Sequence, residues 1–290
     1  MRHIVIIPAR NEAGKIERTL DSILRQEDKP DRTYVVDDGS SDSTPSIVSA
    51  FCRRDPSVIL LQRKDRGFRK MGGGVVEAFN FAYERIKDET PIYISKVDAD
   101  IVFEDDYFRV LLKRMDKDPT IAIGGGNLYE IVRGKLIRDR IPAHHVPGAI
   151  KTVRATAFKE MGGFLPILGW DIIDETKAHL LGYKTLNYSD LKVTHLRQHA
   201  SAEGILKGKA TWGRAAYLIG SHPLFVFGRG LYRMLERPYV IGGIAMWFGY
   251  IVAWSKGEPQ IQDKVLKAFV RREQLQRLYS FNRLPPAERK

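Results

Sequence analysis

The sequence predicts an α/β protein: a Rossmann-like, mostly parallel sheet with helices on both faces, followed by a helical C-terminal extension. Three observations predict it. Continuous apolar runs alternate four times with amphipathic stretches, the pattern of a parallel sheet joined by right-handed crossovers. The segments linking them are short. Beyond residue 200 acids become scarce while aromatics and glycines accumulate, so 1–200 reads as one domain and 201–290 as an extension.

His3–Pro8 (HIVIIP) is almost wholly apolar, as a strand buried on both faces should be. Asn11 is placed to cap the next helix, whose apolar stripe is Ile16, Leu20, Ile23 and Leu24. Thr33–Val36 is the second strand, and Thr44 as N-cap with Pro45 as first helical residue opens the helix behind it. Val58–Leu61 is the third strand, followed by a helix striped with Val75, Phe79, Ala82 and Ile86. Pro91–Asp100 is the fourth, with Phe108, Leu111, Leu112 and Met115 marking the helix after it. From about residue 120 the alternation loosens. Gly148–Phe164 reads as a strand and a short helix, capped by Thr156 and stopped by Gly162. Gly169–Thr185 reads as an acidic loop, a helix ended by Gly182, and another strand.

Composition narrows the function. At 43% hydrophobic and 28% charged the chain is globular. A single cysteine, Cys52, excludes an internal disulfide framework, fits a reducing compartment, and reads as a half-buried apolar residue. The apolar run after Met1-Arg2-His3 is too short for a secretory signal, so a cytoplasmic location is expected. The net charge of +12 is uneven. Residues 201–290 hold fifteen Lys/Arg against six Asp/Glu, whereas the first 200 hold 32 against 29. A basic C-terminal third suits an anionic membrane surface or nucleic acid.

Ligands of doubly wound sheets bind beyond the carboxyl ends of the strands. Two acid pairs sit at such ends: Asp37/Asp38 in YVVDDGSSDST and Asp98/Asp100 in KVDAD. With a period of two, Asp98 and Asp100 leave the strand on one face, and the small Ala99 leaves room for a ligand. Carboxylates in this pattern suit Mg²⁺ or Mn²⁺, which keep positions open for water and substrate phosphates. The competing reading is a solvated capping cluster, because Glu104, Asp105 and Asp106 follow. In the first pair, turn chemistry at Asp-Gly-Ser explains one acid. The second crowds a like charge, which a nucleobase or ribose with N–H or O–H donors would reward. In QRKDRGFRKMGGG, Arg66, Arg69 and Lys70 precede a glycine run that opens a helix. That is either a phosphate site or an exposed basic loop.

Taken together, VIIPARNEAGKIERTLDSILRQ, YVVDDGSSDST, KVDAD and GWDIIDETKAHLLGYKT resemble the ordered signatures of inverting family-2 nucleotide-sugar glycosyltransferases with the GT-A fold. The resemblance covers about residues 1–200. It implies that Pro8, Ala9, Asn11 and Glu12 line the nucleotide pocket, that Asp38 with Asp37 accepts from the nucleobase or ribose, and that Asp98 and Asp100 form the metal and diphosphate motif, with Asp100 the direct metal ligand. It puts the general base at Asp171 and a further metal or phosphate contact at His195. The family usually writes Glu-Asp where this chain has Trp170-Asp171. Asp174 and Glu175 follow within a turn and are alternative bases, helix capping is the competing role for Asp171, and Trp170 is a candidate platform for a sugar. The implied chemistry is metal-dependent, inverting transfer of a sugar from a nucleoside-diphosphate-sugar to a saccharide or lipid-linked acceptor, in glycan, polysaccharide or glycolipid synthesis.

In the last ninety residues, Pro238–Ser255 carries no charge and is flanked by Arg237 and Lys256. Trp247, Trp254, Tyr239 and Tyr250 are residue types of a membrane interface. Ile261, Val265, Leu266 and Phe269 line one face of the next helix, surrounded by Lys264, Lys267, Arg271 and Arg272, a basic amphipathic pattern suited to an anionic leaflet. The expectation is peripheral association with the cytoplasmic face of a membrane, and no nucleic acid partner. A packed helical subdomain and a true membrane span are the alternatives. Two rival functions remain: a nucleotidyltransferase, although PARNEAGK is not the Gly-rich basic loop that class carries after its first strand, and a basic nucleic-acid- or membrane-binding module on a non-catalytic scaffold.

Overall fold

The structure is a computed structural model of the chain, and it describes residues 2–68, 70, 72–86, 88–132, 134–139, 141–196, 204–236 and 238–281. The chain divides into two compact units, Met1–Gln198 and His199–Lys290.

The first unit follows the expected alternation: β1 (His3–Ala9), α1 (Ile16–Leu24), β2 (Arg32–Asp37), α2 (Thr44–Arg54), β3 (Val58–Gln62), α3 (Gly73–Ile86) and β4 (Tyr93–Val97). These four strands lie in the order β3-β2-β1-β4, all parallel. The rest comprises β5 (Ile101–Phe103), α4 (Tyr107–Lys117), β6 (Ile121–Val132), β7 (Lys135–Arg138), β8 (Ile150–Arg154), α5 (Ala155–Glu160), α6 (Trp170–Leu180) and β9 (Lys184–His195). The sheet continues from β4 through β8, β6 and β9 to β5. β8 runs antiparallel to β4 and to β6, β9 parallel to β6, β5 antiparallel to β9, and β7 hairpins off β6.

The run in β1 serves both faces, as its period of two requires. Val5 and Ile7 pack with Leu20 of α1, Phe51 of α2 and Phe108 of α4. Ile4 and Ile6 pack with Phe79 of α3, Phe158 of α5 and Trp170 of α6. All four β1 side chains are fully buried, each contributing roughly 2 kcal/mol. Cys52 is half-buried against the first of these cores.

Several local expectations are corrected. Asn11 does not cap α1, whose first residue is Ile16. Asn11 takes φ +56 and its Oδ1 accepts from Ser41 N at 2.8 Å, which folds the loop after β1 onto the loop after β2. Thr156 lies inside α5, where Arg154 holds the cap position. The expected fourth strand breaks at Asp98-Ala99-Asp100 into β4 and β5. β6 went unforeseen because three glycines interrupt its pattern. A Cβ at Gly126 would lie 2.4 Å from Leu191 O, so the close pairing with β9 requires that glycine, while a Cβ at Gly124 would meet Met115 and one at Gly125 would meet Val146.

The second unit is helical: α7 (Ile205–Leu218), α8 (Pro223–Arg233), α9 (Ile241–Ser255) and α10 (Lys264–Phe281). Its backbones touch through glycine. A Cβ at Gly213 of α7 would lie 1.8 Å from Met246 O, and one at Gly249 of α9 would lie 1.9 Å from Ala210 O. Of the apolar stripe expected there, Leu266 is buried, Ile261, which precedes α10, and Phe269 are half-buried, and Val265 is exposed. No described helix is long and apolar enough to cross a membrane. Arg237, expected at one end of the uncharged run, lies outside the described residues.

Candidate active site

Parallel register puts Ala9 beside Asp37, so the carboxyl ends of β1 and β2 share one rim. The two adjacent acids there separate by role. Asp37 accepts from Ser40 N at 3.2 Å, closing the turn that Gly39 passes at φ +75. Asp38 is buried between two guanidiniums: Arg63 donates to Oδ1 at 2.6 Å and Arg66 to Oδ2. The reward for the second acid is therefore two cations, and each carboxylate oxygen keeps a further lone pair for a ligand. Arg10 donates to Asp38 O at 2.6 Å and pairs with Asp65 at 2.8 Å. Pro8 is half-buried and Ala9 buried at this rim. Glu12 is buried, its N–H donating to Thr44 Oγ1 at 2.9 Å and its carboxylate facing Lys15.

Arg66 also reaches Glu77 of α3, as does Lys70. Two of the three expected phosphate-loop cations thus rest on carboxylates, and Arg69 lies outside the described residues. The glycines beside them answer to packing: a Cβ at Gly73 would lie 2.3 Å from Pro166 O and one at Gly72 2.8 Å from Leu168. The basic loop is thereby pressed onto the segment that leads into α6.

At the end of β4, Asp98 is half-buried and its carboxylate meets Lys96, a lysine buried inside the strand. Asp100 is buried, with Oδ1 3.3 Å from His195 Nε2. The antiparallel pairing of β5 with β9, which matches Ile101 to His195, makes that meeting. Burial works against charging His195, but the hydrogen bond and charge of Asp100 outweigh it and hold its pKa above the ordinary imidazole value. The anticipated trio of Asp98, Asp100 and His195 is not gathered: among the described residues no three His, Cys, Asp or Glu side chains are set to hold a metal ion. Two of the trio converge. A carboxylate beside an imidazole is a donor set that fits a divalent ion completed by phosphate oxygens and water, Mn²⁺ more readily than Mg²⁺.

Next to β4 stands β8, with Lys151 opposite Lys96. Lys151 is wholly buried and donates to Asp171 O at 2.5 Å, Asp174 Oδ1 at 2.6 Å and Glu175 Oε1 at 3.0 Å. Both ammonium groups lie over the Trp170 ring, at 5.4 and 5.6 Å from its centroid. Trp170 is itself buried against Phe164, so it is a core residue under the site and not an open sugar platform. Lys96 donates to Gly148 O at 2.8 Å, and Gly148 must be glycine because a Cβ there would lie 2.9 Å from Trp170. One run of contacts thus joins Asp98 to the first turn of α6.

On α6 the two candidate bases separate. Asp171 sits half-buried in the first turn, where Gly169 holds the cap position, so it is not the N-cap. Asp174 is 1% exposed. Burial pushes its carboxyl up to about 7 against the pull of Lys151. Glu175 is buried too: burial raises its pKa, but Lys151 and His145 hold it below the usual carboxylate value. His145 Nδ1 lies 2.9 Å from Glu175 Oε2. The sequence reading passed over Arg63, Glu77, His145, Lys96 and Lys151. Lys96 left a visible signal as the one cation of β4, whereas Lys151 shares β8 with Arg154.

A mostly parallel sheet whose strand ends carry acids, arginines and a carboxylate–imidazole pair is an α/β fold of the GT-A type. Comparison with known proteins makes the class specific. The family described as "Glycosyl transferase family 2" matches residues 4–164, more than half of the chain. The chain belongs to that family. It is 28% identical over 140 residues to glycosyltransferase GlyG of Streptococcus pneumoniae, covering 45% of this chain and 44% of that protein. It is 22% identical over 236 residues to a poly-beta-1,6-N-acetyl-D-glucosamine synthase of Staphylococcus epidermidis, covering 73% and 54%. The chain thus spans about half or less of the length of such curated relatives. Among solved structures, the fold is shared with the mannosyltransferase PcManGT from Pyrobaculum calidifontis in complex with GDP-Man and Mn²⁺, at TM-score 0.58 and 18% identity over 97% of this chain and 80% of that one. It is shared too with S. aureus TarS 1-349 in complex with UDP-GlcNAc, at TM-score 0.55 and 19% identity over 74% and 66%.

Proposed function

We propose that the first unit, the 1–200 catalytic domain of the sequence reading, transfers a sugar from a nucleoside-diphosphate-sugar to an acceptor hydroxyl with inversion. The observation that carries this is the contact run from Asp98 through Lys96, Gly148 and Trp170 to Asp171. It links a diphosphate-type motif to a half-buried carboxylate on α6. Asp38, fixed by Arg63 and Arg66, accepts from the nucleobase or ribose, within a pocket bounded by Pro8, Ala9, Asn11, Glu12 and Asp37. Asp100 and His195 would hold a divalent cation, Mn²⁺ or Mg²⁺, which when bound neutralises charge on the departing diphosphate. Arg66 and Lys70 add positive charge on the same side. Asp171 takes the proton of the acceptor hydroxyl as it attacks from the face opposite the leaving group. Asp174 serves as scaffold: it lies inside the helix on Lys151, where an acceptor does not reach it.

The acceptor is a saccharide or lipid-linked saccharide in glycan or polysaccharide synthesis, a reading supported by relatives named as polysaccharide synthases. The second unit, the 201–290 extension, holds the protein peripherally on the cytoplasmic face of a membrane. Family membership favours this account over a nucleotidyltransferase or a nucleic-acid-binding module. Incubating the protein with UDP-, GDP- and dTDP-sugars and Mn²⁺ or Mg²⁺ is expected to release nucleoside diphosphate from one class of donor. Release of monophosphate or pyrophosphate, or no release from any donor, would overturn it.

A further inference from the structure

We propose that the outward side of α8 and α9 is a bilayer-docking face that seats on an anionic leaflet, with α9 lying in the plane of the interface. This names the contact surface for the membrane reading above and rests on it. The sequence pointed to α10, but of the stripe expected there Leu266 is buried, Ile261 and Phe269 are half-buried, and Val265 alone is exposed. α9 is built the other way round. Gly242, Gly243, Met246, Gly249 and Ala253 face the unit's interior, while Ile241, Ile244, Phe248, Ile251 and Trp254 are exposed along one side. On α8 and just past its end, Leu224, Phe227, Leu231 and Leu235 are exposed at the same three- and four-residue spacing. The two stripes are joined at the turn by Tyr239 and Val240, also exposed, with Val240 at φ +58.

The chemistry of this face favours a lipid occupant. α9 has no charged residue across its 15 positions, so its exposed side offers nothing to a polar partner. At a rise of 1.5 Å per residue it is about 22 Å long, short of the ~30 Å needed to cross a bilayer, so it fits along the interface. Trp254 and Tyr239 are side chains that settle at headgroup depth. Residues 201–290 carry a net +9, which complements an anionic leaflet and opposes stacking a second copy of the unit on the same face.

The test is co-sedimentation of the full chain with phosphatidylcholine vesicles, with and without phosphatidylserine. Binding is expected to the phosphatidylserine vesicles, several-fold weaker at 0.5 M salt as charge is screened. It should fall about tenfold or more in Phe248→Glu and in Ile244→Ser, and stay unchanged in Val265→Glu on α10. Phe248 and Ile244 are already exposed, so melting of the variants should match the parent. Four results would overturn the proposal: no vesicle binding, equal binding to both vesicle types, loss in Val265→Glu as large as in Phe248→Glu, or a parent that light scattering shows to be a dimer dissolved by Phe248→Glu. Donor turnover on the same samples separates the two readings. Vesicle binding without nucleoside diphosphate release overturns glycosyl transfer alone, and release without vesicle binding overturns the docking face alone.

Discussion

Lys151 in the sheet unit is 0% exposed, whereas Phe248 in the helical unit is 63% exposed. Each side chain stands where ordinary partition would put the other. Burying an ammonium group costs several kcal/mol and is tolerated only with carboxylates and hydrogen bonds around it. Lys151 has Asp174, Glu175 and the Asp171 carbonyl, and Lys96 has Asp98 and the Gly148 carbonyl. What that arrangement provides is a fixed floor beneath the rim where the acids gather. The helical unit keeps its interior for glycine and alanine and turns its large apolar groups outward. The first unit holds polar groups inside to serve a site; the second holds apolar groups outside to serve a surface. The two should therefore respond separately to substitution.

The largest expected effect is on turnover. Asp171→Asn should lower it by about 10²–10⁴-fold, the range for loss of a general base, with donor affinity and melting temperature unchanged. Asp174→Asn should instead lower stability. Lys151→Met strands two carboxylates and should destabilise the sheet unit by about 3–5 kcal/mol in urea titrations, while the helical content of the second unit persists to higher denaturant. Gly213→Val drives a side chain against the Met246 carbonyl and should cost the helical unit about 1–3 kcal/mol, with nucleoside diphosphate release untouched.

The smallest effect is graded with pH. His3 is wholly buried against Phe108, donor or acceptor to Ser95 Oγ at 2.7 Å, and burial lowers its pKa to about 3. The unfolded chain binds a proton at His3 near pH 6.5 and the folded chain does not. This contribution is therefore intact above that pH and declines as pH falls below it, by up to about 1.4 kcal/mol per unit. Asp174 and His195, whose pKa values are raised, act in the opposite sense over the same range. The His3 slope is therefore read as the difference in urea midpoint of the sheet unit between the parent and His3→Leu from pH 7 to pH 5, and the helical unit should not share it.

Much of the sheet unit was legible because its signals are local. The β1 run, the strand-end acids and Gly182 each announce themselves within a few residues. β6 did not, since its glycines carry meaning only against β9 and Met115. Lys96 and Lys151 were printed in plain view, but their pairing depends on β4–β8 register, which no local pattern encodes. In the helical unit composition was legible and orientation was not. α9 is apolar nearly all round, so which side faces out is decided by where glycine lets α7 and α8 approach.

The central claim, that separate strand ends grip one donor, is tested most directly by calorimetric titration of nucleoside diphosphate with Mn²⁺. Asp38→Ala on the β2 end, Asp98→Ala after β4 and His195→Ala on β9 should each weaken binding about tenfold or more, and Asp105→Ala, an exposed member of the neighbouring acidic cluster, should not. Binding that survives all three, or falls as far with Asp105→Ala, would contradict the account.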